Sequence, residues 1–185
     1  HTLREENSGC DIANGEIFMI MPVTAGMLLL WQARFYFLSG ILFSIGFLFK
    51  IPVAADVIAA GLAFWVFRHN LKGLVEFGLG FGLPILLVLG LWQLQGVSPV
   101  ELIRNAVGSA PYVSVWLGFP TLKSRLALAG GLSLGVYLWR KKMGEVMTWA
   151  SLWLIWALFG ATLSGRPYPH YFIQIVVPVV VTVGA

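Results

Sequence analysis

A polar segment near the end of the chain concentrates side chains that can bind an anion. Residues 165–171 read GRPYPHY and stand between two apolar stretches. The next helix is predicted to begin near His170, and a helix N-terminus with Arg166 beside it is a ready anion site. His170 can donate to a phosphate or carry a proton near neutral pH, and Gln174, four residues later, is predicted to face the same way. The segment therefore predicts a phosphate-binding site, and the alternative for Arg166 is plain anchoring at the membrane boundary.

One lysine and one tyrosine are assigned to the same phosphate site. Lys50 follows an apolar run and precedes Pro52 by two residues, so it lies at a predicted turn. As a point charge it suits a lipid-linked phosphate; the alternative is a lysine that fixes a helix end while its stem lies along apolar surface. Tyr168 is assigned to phosphate contact, and its alternative, shared with Tyr171, is anchoring at a membrane interface.

Three oxygen-bearing residues precede the first apolar stretch and are candidates for acid–base or metal chemistry. Glu16 is the main candidate, and Asp11 and Asn14 come shortly before it. Glu16 can deprotonate an acceptor hydroxyl, hold a divalent cation together with its two neighbours, or only complement the dipole of its own helix. We therefore assign Glu16 and Asp11 as catalytic residues supported by Asn14, and metal binding by Glu16 stays open.

One carboxyl group falls inside an apolar run. Asp56 follows Lys50 by six residues, about 9 Å along a helix. Ionisable groups at membrane depth are rare and pair with other polar groups. We expect Asp56 to be protonated or paired inside the bundle, but the pattern names no partner.

These residues belong to a chain with the composition of an integral membrane protein. Hydrophobic residues make up 58% and charged residues 11% of it, and the mean hydropathy of +0.84 exceeds what a soluble domain of this size needs. Because a helix needs roughly 20 apolar residues to cross a bilayer, the predicted fold is all-α, a polytopic transmembrane bundle of about seven helices whose shorter members either extend into their polar flanks or lean on neighbouring helices. The predicted spans are Ile17–Ala33, Phe35–Phe49, Ile51–Phe67, Leu74–Leu94, Leu126–Trp139, Val146–Leu163 and Tyr171–Ala185.

Other function classes are disfavoured. Cys10 is the single cysteine, so an internal disulfide is excluded, and no Cys/His cluster has zinc spacing. The net charge of +4 comes from basic residues scattered between apolar runs. Nucleic acid is therefore not an expected partner, whereas membrane lipids are.

The chain divides into three parts of a single membrane domain. Residues 1–95 hold an outer segment and four predicted transmembrane helices, residues 96–125 an outer loop, and residues 126–185 three further helices. The loop carries a capping box at Ser98-Pro99-Val100-Glu101 that predicts an amphipathic helix in the membrane interface, with Tyr112 and Trp116 as aromatic anchors. We expect a piece of a longer protein, truncated at both ends.

The turns alternate between two predicted sides of the membrane. Six Lys and Arg residues fall on each side. One side carries them in very short turns, around residues 34, 68–72 and 140–142, where the positive-inside rule is strongest, so we assign that side to the cytoplasm. The polar segments that hold Glu16, Lys50 and Arg166 then share the outer side and are predicted to meet at one pocket.

Three motifs in this order carry a family resemblance. They are ANGEIFMIMP at residues 13–22, GFLFKIP at residues 46–52, and SGRPYPHYF at residues 164–172, followed by Gln174 and Pro178. The chain resembles bacterial membrane glycosyltransferases of the GT-C class, specifically the dolichyl-phosphate-mannose protein mannosyltransferase family and its aminoarabinose-transferase relatives. By this resemblance Glu16 matches the second acidic position of the family, Lys50 the lysine of its Lys-x-Pro turn, and Arg166 with His170 its late outer-loop motif.

The resemblance implies an enzyme that transfers a sugar from a polyprenyl-phosphate carrier to an acceptor outside the cytoplasm. The acceptor is a protein, a lipid or a glycan, and the expected location is the bacterial inner membrane with the active site facing the periplasm. The family's main catalytic acid lies in a first outer loop that these residues do not include. The alternatives are a transporter or lipid flippase without transferase activity, in which Lys50, Asp56 and His170 line a path, and a catalytically silent membrane subunit.

Overall fold

The computed structural model describes residues 15–101, 104, 120–163 and 169–185, and the side chains of residues 15, 16, 169 and 170 lie outside that description. Within these ranges the chain is helical and has no strand, so the all-α prediction is confirmed. The elements are α1 (Gly15–Trp31), α2 (Tyr36–Phe49), α3 (Val53–Phe67), α4 (Leu71–Leu94), α5 (Leu122–Ala161), a 3₁₀ turn (Pro169–Phe172) and α6 (Ile173–Gly184).

Helix α5 is a hairpin of two helical limbs. Gly144 has non-helical angles, φ 78° and ψ 172°. Trp156 Nε1 donates to Ser133 Oγ at 3.1 Å, and Arg125 Nη1 donates to the carbonyl of Thr162. Because the two partners in each pair stand at nearly equal sequence distances from Gly144, residues 122–143 and 145–161 fold back on each other. The described residues thus hold seven apolar helical segments, as the hydropathy pattern predicts.

The predicted turn at residues 140–142 is wrong in position. The first limb continues through the basic residues and breaks only at Gly144. Arg140 stacks over the Tyr137 ring at 3.9 Å and donates to the Tyr137 carbonyl at 2.7 Å. Arginine and lysine are good helix formers, whereas the angles at Gly144 suit glycine almost alone. The glycine, and not the charge, therefore sets the turn.

The helices differ in length from the predicted spans. The described helix α4 is long and apolar enough to cross a membrane, and α5 also passes this test of length and composition, although its 40 residues are divided between two limbs at Gly144. Helices α1, α2, α3 and α6 are apolar but shorter. The 24 residues of α4 extend about 36 Å, but the 14 residues of α2 extend only about 21 Å. The expected extension into polar flanks does not occur in α2, because Phe35 before it is left-handed and Lys50 after it is extended.

The core lies where α1, α3 and the second limb of α5 meet, and α2 packs between α1 and α4. Glycines bring α2 and α4 close together: a Cβ atom on Gly40 would stand 2.1 Å from the Phe77 carbonyl oxygen, and one on Gly80 2.0 Å from the Phe37 carbonyl oxygen. Close approach through small residues is typical of helix packing in membranes. The outward faces of these helices are apolar, as at Leu79 and Leu86.

The bundle has two ends that separate the predicted groups of turns. At the Arg68 end, Arg68 Nη2 pairs with Glu145 Oε1 at 2.8 Å and donates to the Trp31 carbonyl at 2.8 Å. At the Lys50 end, the Lys50 Nζ lies 5.5 Å from the centre of the Tyr171 ring. The turn after α1, the turn after α3 and the α5 hairpin therefore come together at the Arg68 end, opposite Lys50.

The outer loop is described only in part. Residues 99–101 and 104 are helical, so the helix start predicted at Pro99 is confirmed. Val100 is exposed. Tyr112 and Trp116, the predicted anchors, lie outside the described residues.

Candidate functional site

The candidate site lies at the Lys50 end, where three separate parts of the chain meet. Phe18, two residues after Glu16, stacks on Phe49 with ring centres 5.7 Å apart. Lys50 lies next to Phe49 and places its ammonium group over Tyr171, the residue after His170. Residues adjacent to the predicted acidic, lysine and anion-binding positions are therefore in contact.

A sharp turn presents Lys50 at this end. Its backbone N–H still caps α2 by donating to the Gly46 carbonyl at 3.1 Å, while its own angles, φ −153° and ψ 126°, are extended. Pro52 then supplies a φ of −52° that starts α3, as proline does before a first helical turn. The side chain of Lys50 is half-buried. Its ammonium group is therefore held near the Tyr171 ring, with fewer accessible conformations than a fully exposed lysine has.

Beneath this turn lies a buried polar network that joins three helices. The Asp56 carboxyl group, 1% exposed, accepts from Trp153 Nε1 at 2.9 Å and from Gln174 Nε2 at 2.5 Å. The same Gln174 nitrogen lies 3.4 Å from the Pro52 carbonyl oxygen. Each carboxyl oxygen thus has a donor, as a buried polar group requires. The network fixes the start of α6 against the Lys50 turn.

Gly160 makes this arrangement possible. A Cβ atom there would lie 2.8 Å from Gln174 Nε2 and 2.9 Å from the Pro52 carbonyl oxygen. Both distances are shorter than real Cβ contacts, so any side chain at this position would push α5 away from α3 and α6. The helical glycine is therefore required by the closeness of three helices, and not by its own backbone angles.

A second cation lies at the Lys50 end. Arg125, near the start of α5, donates to the carbonyl of Thr162 just after the second limb. The Arg125 side chain is half-buried, and its guanidinium closes the open end of the hairpin. The sequence places Arg125 only among the outer basic residues. No sequence pattern around Arg125 predicts that it joins the two limbs, because its partner Thr162 lies 37 positions away.

The described part of the chain places some predicted site residues and not others. Gln174 is buried at 6% exposure and contacts Asp56, so it lies beneath the surface of the site. Glu16 belongs to the first turn of α1 and His170 to the 3₁₀ turn. Asp11, Asn14, Arg166 and Tyr168 lie outside the described residues.

The partners of Asp56 are the part of the site that sequence reasoning missed. Trp153 is one of eight tryptophans and gives no sign of its role. Gln174 is predicted as a supporting residue of the phosphate site, but not as a partner of Asp56. Metal binding stays a prediction, because the described residues hold no group of three metal-ligating side chains and the side chains of Asp11, Asn14 and Glu16 are not among them.

Comparison of the chain with protein-family models, curated proteins and solved structures found no match.

Proposed function

We propose that the chain is the membrane-embedded part of a glycosyltransferase that takes a sugar from a polyprenyl-phosphate donor. The contact that carries the proposal is that of Lys50 with Tyr171. It brings the lysine turn against the helix that follows the GRPYPHY segment. A cation held at a helix boundary beside apolar surface is what a lipid-linked phosphate needs.

The membrane location is supported by the surface of the bundle. Large apolar side chains are exposed along α4, with Leu79 at 63% and Leu86 at 68%. In water such a continuous face is an aggregation hazard, whereas in a bilayer it is the ordinary lipid-facing surface. We place the Lys50 end outside the cytoplasm, because the opposite end gathers its basic residues in short turns. The membrane we propose is the bacterial inner membrane.

The proposed reaction uses cations to stabilise the leaving phosphate and a carboxylate to accept a proton. The acceptor hydroxyl attacks the anomeric carbon as the bond from that carbon to the phosphate oxygen breaks. Negative charge grows on the departing polyprenyl phosphate, where Lys50 and Arg166 stabilise it. The hydroxyl proton passes to a carboxylate, assigned to Glu16 or Asp11. The products are the glycosylated protein, lipid or glycan and the free carrier phosphate.

The buried network supports a transferase over a transporter. Asp56 is the group that a translocation path would use, but both of its oxygens already accept hydrogen bonds. The cavity beside it measures about 10 Å³, space for one water molecule at most. In this conformation Asp56 holds helices together, and the described residues leave beside it only this small cavity.

The test is sugar transfer by the intact protein in membranes, with polyprenyl-phosphate mannose and polyprenyl-phosphate aminoarabinose as donors. We expect Lys50→Ala and Arg166→Ala each to lower turnover about 100-fold or more without changing membrane insertion. The matched control is Lys72→Ala, whose side chain is 87% exposed near the Arg68 end, and it should retain full turnover.

Wild-type turnover in the Lys50 and Arg166 variants would refute the phosphate assignment. Absence of transfer from any polyprenyl-phosphate sugar by the intact wild-type protein, together with substrate movement across vesicle membranes, would instead favour the transporter.

A further inference from the structure

We propose that the end of the first limb of α5 binds the headgroup of an anionic phospholipid. This surface, residues 137–142, reads YLWRKK and is called the basic tip. It lies at the Arg68 end, just before the hairpin turn at Gly144. The proposal rests on the proposed membrane location, whichever membrane surface the Arg68 end meets, but not on sugar transfer.

Two cations of the basic tip lie over aromatic rings of the same limb. The Arg140 Cζ is 3.9 Å from the centre of the Tyr137 ring, and the Lys142 Nζ is 5.7 Å from the centre of the Trp139 ring. In each pair the residues are three positions apart, a spacing that makes side chains neighbours on a helix surface. Cations within about 6 Å of a ring centre are attracted to it. Both charges are therefore restrained at the end of the limb.

The order of side chains along the limb matches the layers of a bilayer leaflet. Leu132 and Leu134 are half exposed or more and suit the hydrocarbon layer. Tyr137 and Trp139, 40% and 66% exposed, are of the types that collect at headgroup level. The three basic residues follow within about 5 Å along the helix. They are thus placed at the level of the lipid phosphates.

The described carboxylates at the Arg68 end pair with cations outside the basic tip. Glu145 pairs with Arg68 at 2.8 Å, and Glu76 lies 3.9 Å from Lys72. Within the described part of the chain, the three cations of the basic tip form no ion pair. An anionic headgroup supplies negative charge to this surface, whereas a zwitterionic headgroup also brings a cation. The charge of the surface therefore selects an anionic lipid.

The position of the basic tip favours a lipid over a protein as the source of that charge. Basic residues next to a membrane-embedded helix attract anionic lipids, and each strengthens the association about fivefold. The same limb exposes its leucines to the proposed bilayer, so lipid headgroups already surround its end. A lipid needs no further contact surface there.

The experiment measures which lipid labels the basic tip. The intact protein is reconstituted in phosphatidylcholine vesicles with a trace of photoreactive phosphatidylglycerol or, in a parallel sample, of photoreactive phosphatidylcholine with identical chains. The photoreactive group stands near the glycerol backbone in both lipids. After illumination, mass spectrometry measures the lipid attached to proteolytic peptides that cover residues 137–142. We expect phosphatidylglycerol to label them about fivefold or more above phosphatidylcholine.

Removing the charges tests whether the basic tip causes the preference. The triple variant Arg140→Gln, Lys141→Gln, Lys142→Gln should bring the labelling ratio of the two lipids close to one, because glutamine keeps the helix propensity and removes the charge. Lys123→Gln is the matched control, since Lys123 is an exposed cation at the other end of the same limb. This control should leave the ratio unchanged.

Salt provides a test on the wild type alone. Raising the concentration from about 0.1 M to about 1 M shortens the Debye length from about 10 Å to about 3 Å. The preference for phosphatidylglycerol should therefore fall at least twofold.

Equal labelling of the wild type by the two lipids would overturn the proposal, as would a preference that persists in the triple variant or at high salt. Equal labelling together with protection by added polyglutamate would also overturn it and reassign the basic tip to an acidic protein segment. Because no sugar transfer is measured, failure here leaves the proposed transferase activity standing, and failure of that activity leaves this result unaffected.

Discussion

Asp56 and Gln174, 118 residues apart in the sequence, are joined by a hydrogen bond of 2.5 Å inside the bundle. The bond ties α3 to α6, and Trp153 adds the second limb of α5 to the same carboxyl group. Since Gln174 also approaches the Pro52 carbonyl, the network sets the height of α6 relative to the Lys50 turn. A buried polar group thus positions the site that we propose binds phosphate.

Removing the carboxyl group is expected to destabilise the bundle. Asp56→Leu leaves Trp153 Nε1 buried without an acceptor and leaves Gln174 Nε2 with only its long contact to the Pro52 carbonyl, at a cost of about 1–3 kcal/mol for each. We expect the free energy of unfolding to fall by about 2–5 kcal/mol, measured by SDS titration with circular dichroism. Glu76→Gln, at a half-exposed side chain, should change it little.

The triple variant Asp56→Leu, Trp153→Phe, Gln174→Leu tests the reason for that loss. With all three polar partners replaced by apolar groups, most of the lost stability should return, because none of the three positions then carries a buried, unpaired donor. A triple variant no more stable than Asp56→Leu would show that packing, and not hydrogen bonding, explains the effect.

The contact between α2 and α4 should be intolerant of a single methyl group. Gly80→Ala places a Cβ atom against the Phe37 backbone, and overpacking of this kind costs about 1–3 kcal/mol. We expect a lower unfolding midpoint in SDS. Gly78→Ala is the matched control, because its Cβ atom meets no described atom within 4 Å and alanine favours the helix. Equal midpoints for the two variants would contradict the close packing.

The hairpin turn of α5 should depend on glycine. Gly144 combines φ 78° with ψ 172°, a region that is nearly closed to other residues. Gly144→Ala is therefore expected to cost about 1–3 kcal/mol by the same SDS titration. Gly135→Ala, within the first limb and facing open space among the described atoms, should be neutral or stabilising. A neutral Gly144→Ala would mean that the turn relaxes without strain.

The hairpin itself can be measured as a distance. Spin labels at Leu128 and Leu158, which line one groove between the two limbs, are expected to lie within about 20 Å of each other, since neighbouring helices pack 8–10 Å apart. In a continuous helix a separation of thirty positions would place them about 45 Å apart. Double electron–electron resonance in micelles distinguishes these lengths, and the longer one would refute the hairpin.

The positions of helices could be predicted because apolar runs are local. The hydropathy pattern gives all seven segments, and Pro99 begins a helix where its capping box predicts one. The errors arise where charge is taken as the mark of a turn. Arg140 stays helical, with its guanidinium over the Tyr137 ring, and the helix breaks only at Gly144.

The contacts of the site could not be predicted in the same way. The spacing of four residues predicts that Gln174 faces the same way as His170. In the structure, however, the Gln174 side chain donates a hydrogen bond to Asp56. No spacing rule relates a carboxyl group in α3 to a tryptophan in α5. The described contacts of Lys50 also depend on Tyr171, which the sequence marks only as an interface aromatic.

By itself the sequence determined an all-helical, strongly apolar chain, the start and end of most helices, and the set of polar residues available for chemistry. These follow from composition and from periodicities of a few residues, which act within one helix. Only the tertiary structure decided which helices touch, that α5 doubles back at Gly144, and that Asp56 finds Trp153 and Gln174. Those contacts join residues 23 positions apart in the hairpin and 118 apart at Asp56 and Gln174, and their energy exists only once glycines such as Gly160 let the helices approach.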